Sequence, residues 1–227
     1  MAEPVFRSIE LLPSMAIPRQ LFILLHGVGA NRADLLPLAQ QLRKVYPDAA
    51  YLLAEGTYPC DTGGDGRQWF PVSGVTEQNR PARIAEAMPA LHTLVRQAQD
   101  RFNVLPTDTA LLGFSQGGIM ALEFGAAHDG SVGRILVFSG RYAELPEHAP
   151  ELITIHLLHG ERDPLIPVEH AYAAYEKLVS MKGDVTIDVA STVGHELHEA
   201  LVERAISRLQ TCVPLRSWKR AMEVNLD

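Results

Sequence analysis

Two cysteines in 227 residues are too few for a disulfide framework. Cys60 and Cys212 also lie outside any C-x-x-C or other metal-ligand spacing, so reduced thiols are expected. Apolar runs stay far below the roughly 20 residues of a spanning helix, which excludes a membrane span. Basic charge is short as well. Lys and Arg number 20 against 27 acidic residues, and the net charge of −7 argues against nucleic acid or an anionic membrane as partner. Residues 1–7 lack a basic segment followed by an apolar one, so no signal peptide is expected and the cytoplasm is the expected location. There is no internal repeat and no low-complexity tract.

What is present has the balance of an ordinary globular chain, 47% hydrophobic and 21% charged. Its length suits one domain over residues 1–227, with 215–227 as a C-terminal tail. That tail is amphipathic enough to dock on the body or to make a self-contact such as a homodimer.

Largely apolar runs at 21–25, 49–54, 109–114, 134–140 and 153–160 predict buried strands, the last two stopped by glycine. A short edge strand is expected within 4–11, and the alternation at 185–189 suits a strand nearer the sheet edge. Helical spacing predicts four intervening segments and one more before Pro214. The first follows Asp34 as N-cap, with Pro37 in its first turn. The second covers 77–102 and is opened by Pro81 and kinked or interrupted by Pro89. The third follows the run at 109–114. A fourth starts at Pro167, carries Val168, Ala171, Tyr172, Tyr175, Leu178 and Val179, and is ended by Gly183; the last runs over 196–210. Strands alternating with helices predict an α/β fold, a mostly parallel central sheet with helices on both faces. The glycine- and proline-rich stretch 55–76 fits neither pattern. Two adjacent aromatics at its centre, Trp69 and Phe70, predict an ordered loop that covers something.

The run at 109–114 ends in Gly113-Phe114-Ser115-Gln116-Gly117, a G-x-S-x-G pattern between a strand and a helix. Such a turn lifts a serine hydroxyl above the sheet. A hydroxyl becomes nucleophilic only when a base takes its proton and a third group fixes that base's tautomer. Asp163 supplies a candidate acid just after a strand, with Glu161 as its competitor. His195 supplies the base, after Gly194 at a strand-to-loop turn, with His198 as its rival a turn inside the next helix. The order Ser115, Asp163, His195 is the nucleophile, acid, histidine order of α/β-hydrolases. Stabilising an oxyanion needs two backbone amides, for which Gln116 and Val28 are the candidates. Trp69 and Phe70 are candidate walls of a substrate pocket, and Arg141 and Tyr142 could line the same cleft. His195 and His198 have metal-like spacing without a third ligand, so no metal is expected, and this chemistry requires no cofactor.

The segments HGVGAN (26–31), GFSQGG (113–118), HGERDPLIP (159–167) and Gly194-His195 resemble those of the α/β-hydrolase carboxylesterase and acyl-protein thioesterase family. Gly66-Arg67-Gln68-Trp69-Phe70 is similar to the lid segment of its bacterial esterase members. The resemblance covers roughly residues 20–210. It implies an α/β-hydrolase fold and a serine esterase acting on short- to medium-chain esters or thioesters. Ser115, Asp163 and His195 would form its triad, and the amides of Val28 and Gln116 its oxyanion hole. Where the family often carries Leu and Asp, this chain has Val28 and Ala30.

Overall fold

The computed structural model describes residues 7–14 and 17–223. Its strands are β1 (Ser8–Leu11), β2 (Leu21–Leu25), β3 (Ala50–Ala54), β4 (Tyr58–Pro59), β5 (Arg67–Gln68), β6 (Thr109–Phe114), β7 (Arg134–Phe138), β8 (Thr154–Gly160) and β9 (Val185–Ala190). Seven of them form one sheet in the order β1-β3-β2-β6-β7-β8-β9, parallel except for β1, which runs antiparallel to β3. The part of the expected edge strand at 4–6 lies outside the described residues.

Period-two geometry divides each apolar strand between two cores. In β2, Leu21, Ile23 and Leu25 enter one, and Phe22 and Leu24 the other. The first core is closed by α2 (Arg80–Phe102), α3 (Gln116–Ala127) and α4 (Glu169–Ser180). The second is closed by α1 (Leu36–Val45) and α5 (Glu199–Thr211). Burial on both faces is why these strands read as largely apolar runs. β9, at the edge, is only half buried and alternates.

Several local details differ from the sequence expectation. Asn31, not Asp34, is the capping residue: its side chain accepts from the Ala33 amide, while Asp34 accepts from the Asn31 amide. This box opens a 3-10 turn over Arg32–Leu35 that leads into α1. Pro89 does not interrupt α2, which runs on through it. Pro89 is solvent-exposed, so the carbonyl at 85 that loses its donor can turn to water. On α4 the buried face is Ala171, Ala174 and Leu178, leaving Tyr172 and Val179 exposed. The left-handed residue at its end is Lys182, at φ 61°, and Gly183 after it closes the turn by donating to the Leu178 carbonyl at 2.8 Å. His198 is not inside α5 but caps it, accepting from the Ala200 amide. The tail forms a further helix, α6 (Leu215–Glu223).

Candidate active site

β2, β6, β8 and β9 deliver their following loops to the same, C-terminal end of the sheet, where open α/β sheets bind ligands. Ser115 stands between β6 and α3 at φ 54° and ψ −116°, a left-handed strained conformation for a residue with a Cβ. Its amide is anchored to the Phe138 carbonyl at 2.9 Å. The turn closes because its flanks have no side chains: a Cβ on Gly113 would sit 2.1 Å from the Gly117 carbonyl oxygen, and one on Gly117 2.3 Å from that of Leu25.

The loop after β9 places His195 Nε2 at 2.9 Å from Ser115 Oγ, and His195 Nδ1 at 2.7 Å from Asp163 Oδ2. Asp163 Oδ1 accepts from the amides of Leu165 and Ile166, both at 2.9 Å. Burial pushes the Asp163 carboxyl up, but the Ile166 amide, His195 and the Leu165 amide together outweigh it and hold the group below its ordinary value. An ionised carboxylate favours the His195 tautomer with its proton on Nδ1, leaving Nε2 free to accept from the serine. Of the competing pairs in the sequence, the structure brings together Ser115, His195 and Asp163, and Glu161 and His198 take no part in these contacts.

The Gln116 amide heads α3, among the N–H groups that a helix leaves without an intrahelical partner. Among the described residues the Val28 amide, in the turn after β2, has no hydrogen-bond partner within the chain either. The turn itself is held from outside. Gly29 N–H donates to the Arg67 carbonyl at 2.9 Å, and Arg67 N–H to the Ala30 carbonyl at 2.8 Å. The stretch 55–76 is thereby built into the turn, and Gly66 is needed where they meet, since a Cβ there would lie 2.1 Å from the Gly29 oxygen. Trp69 and Phe70 are each 2% exposed. Trp69 Nε1 donates to the His26 carbonyl, and the Gln116 side chain accepts from the Trp69 amide and donates to the Phe70 carbonyl. His26 takes the Gly56 amide on Nε2 and donates from Nδ1 to the Gly27 carbonyl, a neutral state that burial favours.

Arg141, in the loop after β7, donates to both carboxylate oxygens of Glu77 at 2.8 Å, and Tyr142 is buried in the core under α2 and α3. The sequence reading missed three contributors. The Gln116 side chain clamps the cover through Trp69 and Phe70. Phe114 packs its ring on His195, with centroids 5.0 Å apart. His159 holds the Ile166 carbonyl at 2.8 Å and lies 3.5 Å from Asp163 Oδ2. Only His159 left a signal, as the histidine directly before the Gly-Glu-Arg-Asp turn.

An elbow serine within hydrogen-bonding reach of an acid-held histidine, on a mostly parallel sheet, falls in the class of α/β-hydrolases. Residues 12–213 match the phospholipase/carboxylesterase family model, and the chain belongs to that family of hydrolases. It is 41% identical over 204 residues to Esterase YpfH of Escherichia coli (strain K12), across 90% of this chain and 88% of that protein. Among solved structures it is similar to esterase PE8, with a TM-score of 0.81 and 27% identity over 92% of this chain and 99% of the other. The Bacillus cereus carboxylesterase shares the fold, with a TM-score of 0.75 and 17% identity over 89% and 92% of the two chains.

Proposed function

We propose that the chain is a serine esterase that cleaves carboxylic esters or thioesters of short to medium acyl chains, with Ser115, His195 and Asp163 as its catalytic residues. The continuous hydrogen-bond line from Ser115 Oγ through His195 to Asp163 carries this reading. In the first half-reaction Ser115 Oγ attacks the acyl carbonyl and its proton passes to His195 Nε2. The resulting oxyanion is held by the amides of Val28 and Gln116, and His195 then gives the proton to the departing alcohol or thiol. Water, deprotonated by the same imidazole, attacks the acyl-enzyme and returns Ser115 to its starting state. Asp163 stays ionised throughout and stabilises the imidazolium. Trp69 and Phe70 support a wall of the acyl pocket, and Arg141 and Tyr142 belong to the same cleft. No cofactor or metal is invoked in any step.

The cytoplasm suits the two cysteines, both of which are free. Among the described residues no helix is long and apolar enough to cross a membrane.

Ser115→Ala should abolish hydrolysis of p-nitrophenyl esters and labelling by a fluorophosphonate while leaving thermal unfolding in place. Retained turnover in that variant would overturn the assignment. A matched series of esters and thioesters of increasing acyl length separates the two substrate classes.

A further inference from the structure

Helix α6 is attached the wrong way round for a helix that only packs on its own protein. At 3.6 residues per turn, Leu215, Trp218 and Met222 share one side, and Arg216 lies across the helix from them. An amphipathic surface helix ordinarily turns its apolar stripe to the core. Here the polar side makes the attachment. Arg216 donates to the Gly133 carbonyl and to Thr154 Oγ1, both at 3.2 Å, and the Leu215 amide donates to Asp184. The apolar side faces out: Leu215 is 40% exposed, Trp218 54% and Met222 60%, with Val213 beside them at 52%.

We propose that α6 is a docking helix for an anionic lipid surface. Trp at a polar–apolar boundary, an apolar stripe and a basic opposite side are what an interfacial helix requires. Arg216 being committed to the body, Lys219 at the edge of the stripe and Arg220 across the helix from it supply two cations, in a chain whose net charge of −7 gives no general attraction to anions. A second copy of the chain is a poorer occupant. A stable dimer buries about 800 Å² per partner, which one Leu, one Trp and one Met cannot supply, and an antiparallel pair of such helices would bring their lysines and arginines together. The attachment points, Gly133, Thr154 and Asp184, lie at the N-terminal ends of β7, β8 and β9. Ser115 lies at the other end of the sheet, so a docked molecule keeps its mouth open to water. This inference is independent of what Ser115 does.

The full chain should be mixed with vesicles of phosphatidylcholine alone and of phosphatidylcholine with phosphatidylglycerol. Of its two tryptophans, Trp69 is sealed, so a blue shift of emission reports Trp218 alone. The shift and co-sedimentation should appear with the phosphatidylglycerol vesicles only and fade with added salt. Binding should weaken about fivefold for each cation removed in Lys219→Gln and Arg220→Gln. It should be lost from the pellet in Trp218→Ser, with p-nitrophenyl ester turnover in solution unchanged in all three. Absence of the shift would overturn the proposal. So would equal sedimentation of Trp218→Ser, or a shift that appears without vesicles and tracks a Trp218-dependent dimer on a sizing column.

Discussion

Asp163 is held by three hydrogen bonds, from the Leu165 and Ile166 amides and from His195, and the residue behind it decides how steadily. His159 is buried, and burial pushes its imidazole below the ordinary value, so it is neutral and donates from Nε2 to the Ile166 carbonyl. That bond fixes the turn whose Leu165 and Ile166 amides grip Asp163. His159 is therefore a positioning residue. His159→Ala would leave the Ile166 carbonyl unpaired, at about 1–3 kcal/mol in stability, and should lower kcat with little change in KM; urea denaturation and steady-state kinetics check both. Asp163→Asn keeps the shape but favours the other His195 tautomer, and kcat should fall by about 10⁴-fold. Because the folded Asp163 pKa is depressed, its ionised form persists to below the ordinary carboxylate range and is lost only as the pH falls through that lowered value. An acid limb of the kcat profile nearer neutrality would therefore belong to another group, and should survive unmoved in His159→Ala.

At the scale of elements, the buried strands were legible because both of their faces are covered and most of their residues are apolar. The elbow was legible because its two glycines answer to backbone atoms within 2.3 Å. The cover over 55–76 was not, since what orders it is backbone: β5 is two residues long and pairs with β4, and the Arg67 amide and carbonyl go to the turn at 29–30. No periodicity announces such bonds. Nor does any propensity announce that one side chain, Gln116, would fasten both Trp69 and Phe70. Gly66→Ala tests the join. It should lower kcat more than it lowers the melting temperature, because it separates the cover from the turn proposed to supply the Val28 amide without opening either core. α2 offers the reverse case. Pro89 is exposed and Ala there would restore the missing amide donor, so Pro89→Ala should raise stability by about 1 kcal/mol or more, read from the melting temperature.

Across the whole molecule, the acid and the histidine were legible in the sequence as residues just past strands, because a parallel sheet gathers every such loop at one end. The sense in which α6 is attached was not legible, since amphipathicity gives a helix two sides without saying which one meets the body. The sheet also carries a pH liability. His156, wholly buried in β8, is pushed down to about 3, by burial first and then by Arg134, whose guanidinium donates to its Nε2. The unfolded chain takes up this proton near pH 6.5 and the folded one does not, so stability is full above that value. Below it, this one group removes up to about 1.4 kcal/mol per pH unit. His156→Gln should be less stable at neutral pH yet flatter from there down, as urea midpoints across that range would show.

The cover of the site is fastened at three points: to the turn after β2 through Arg67, to His26 through Trp69, and to the head of α3 through Gln116. Such anchors oppose a swinging motion of the part they hold. Turnover should then be indifferent to solvent viscosity, with kcat in sucrose equal to that in buffer, where an enzyme waiting on a swinging segment would slow as the medium thickens.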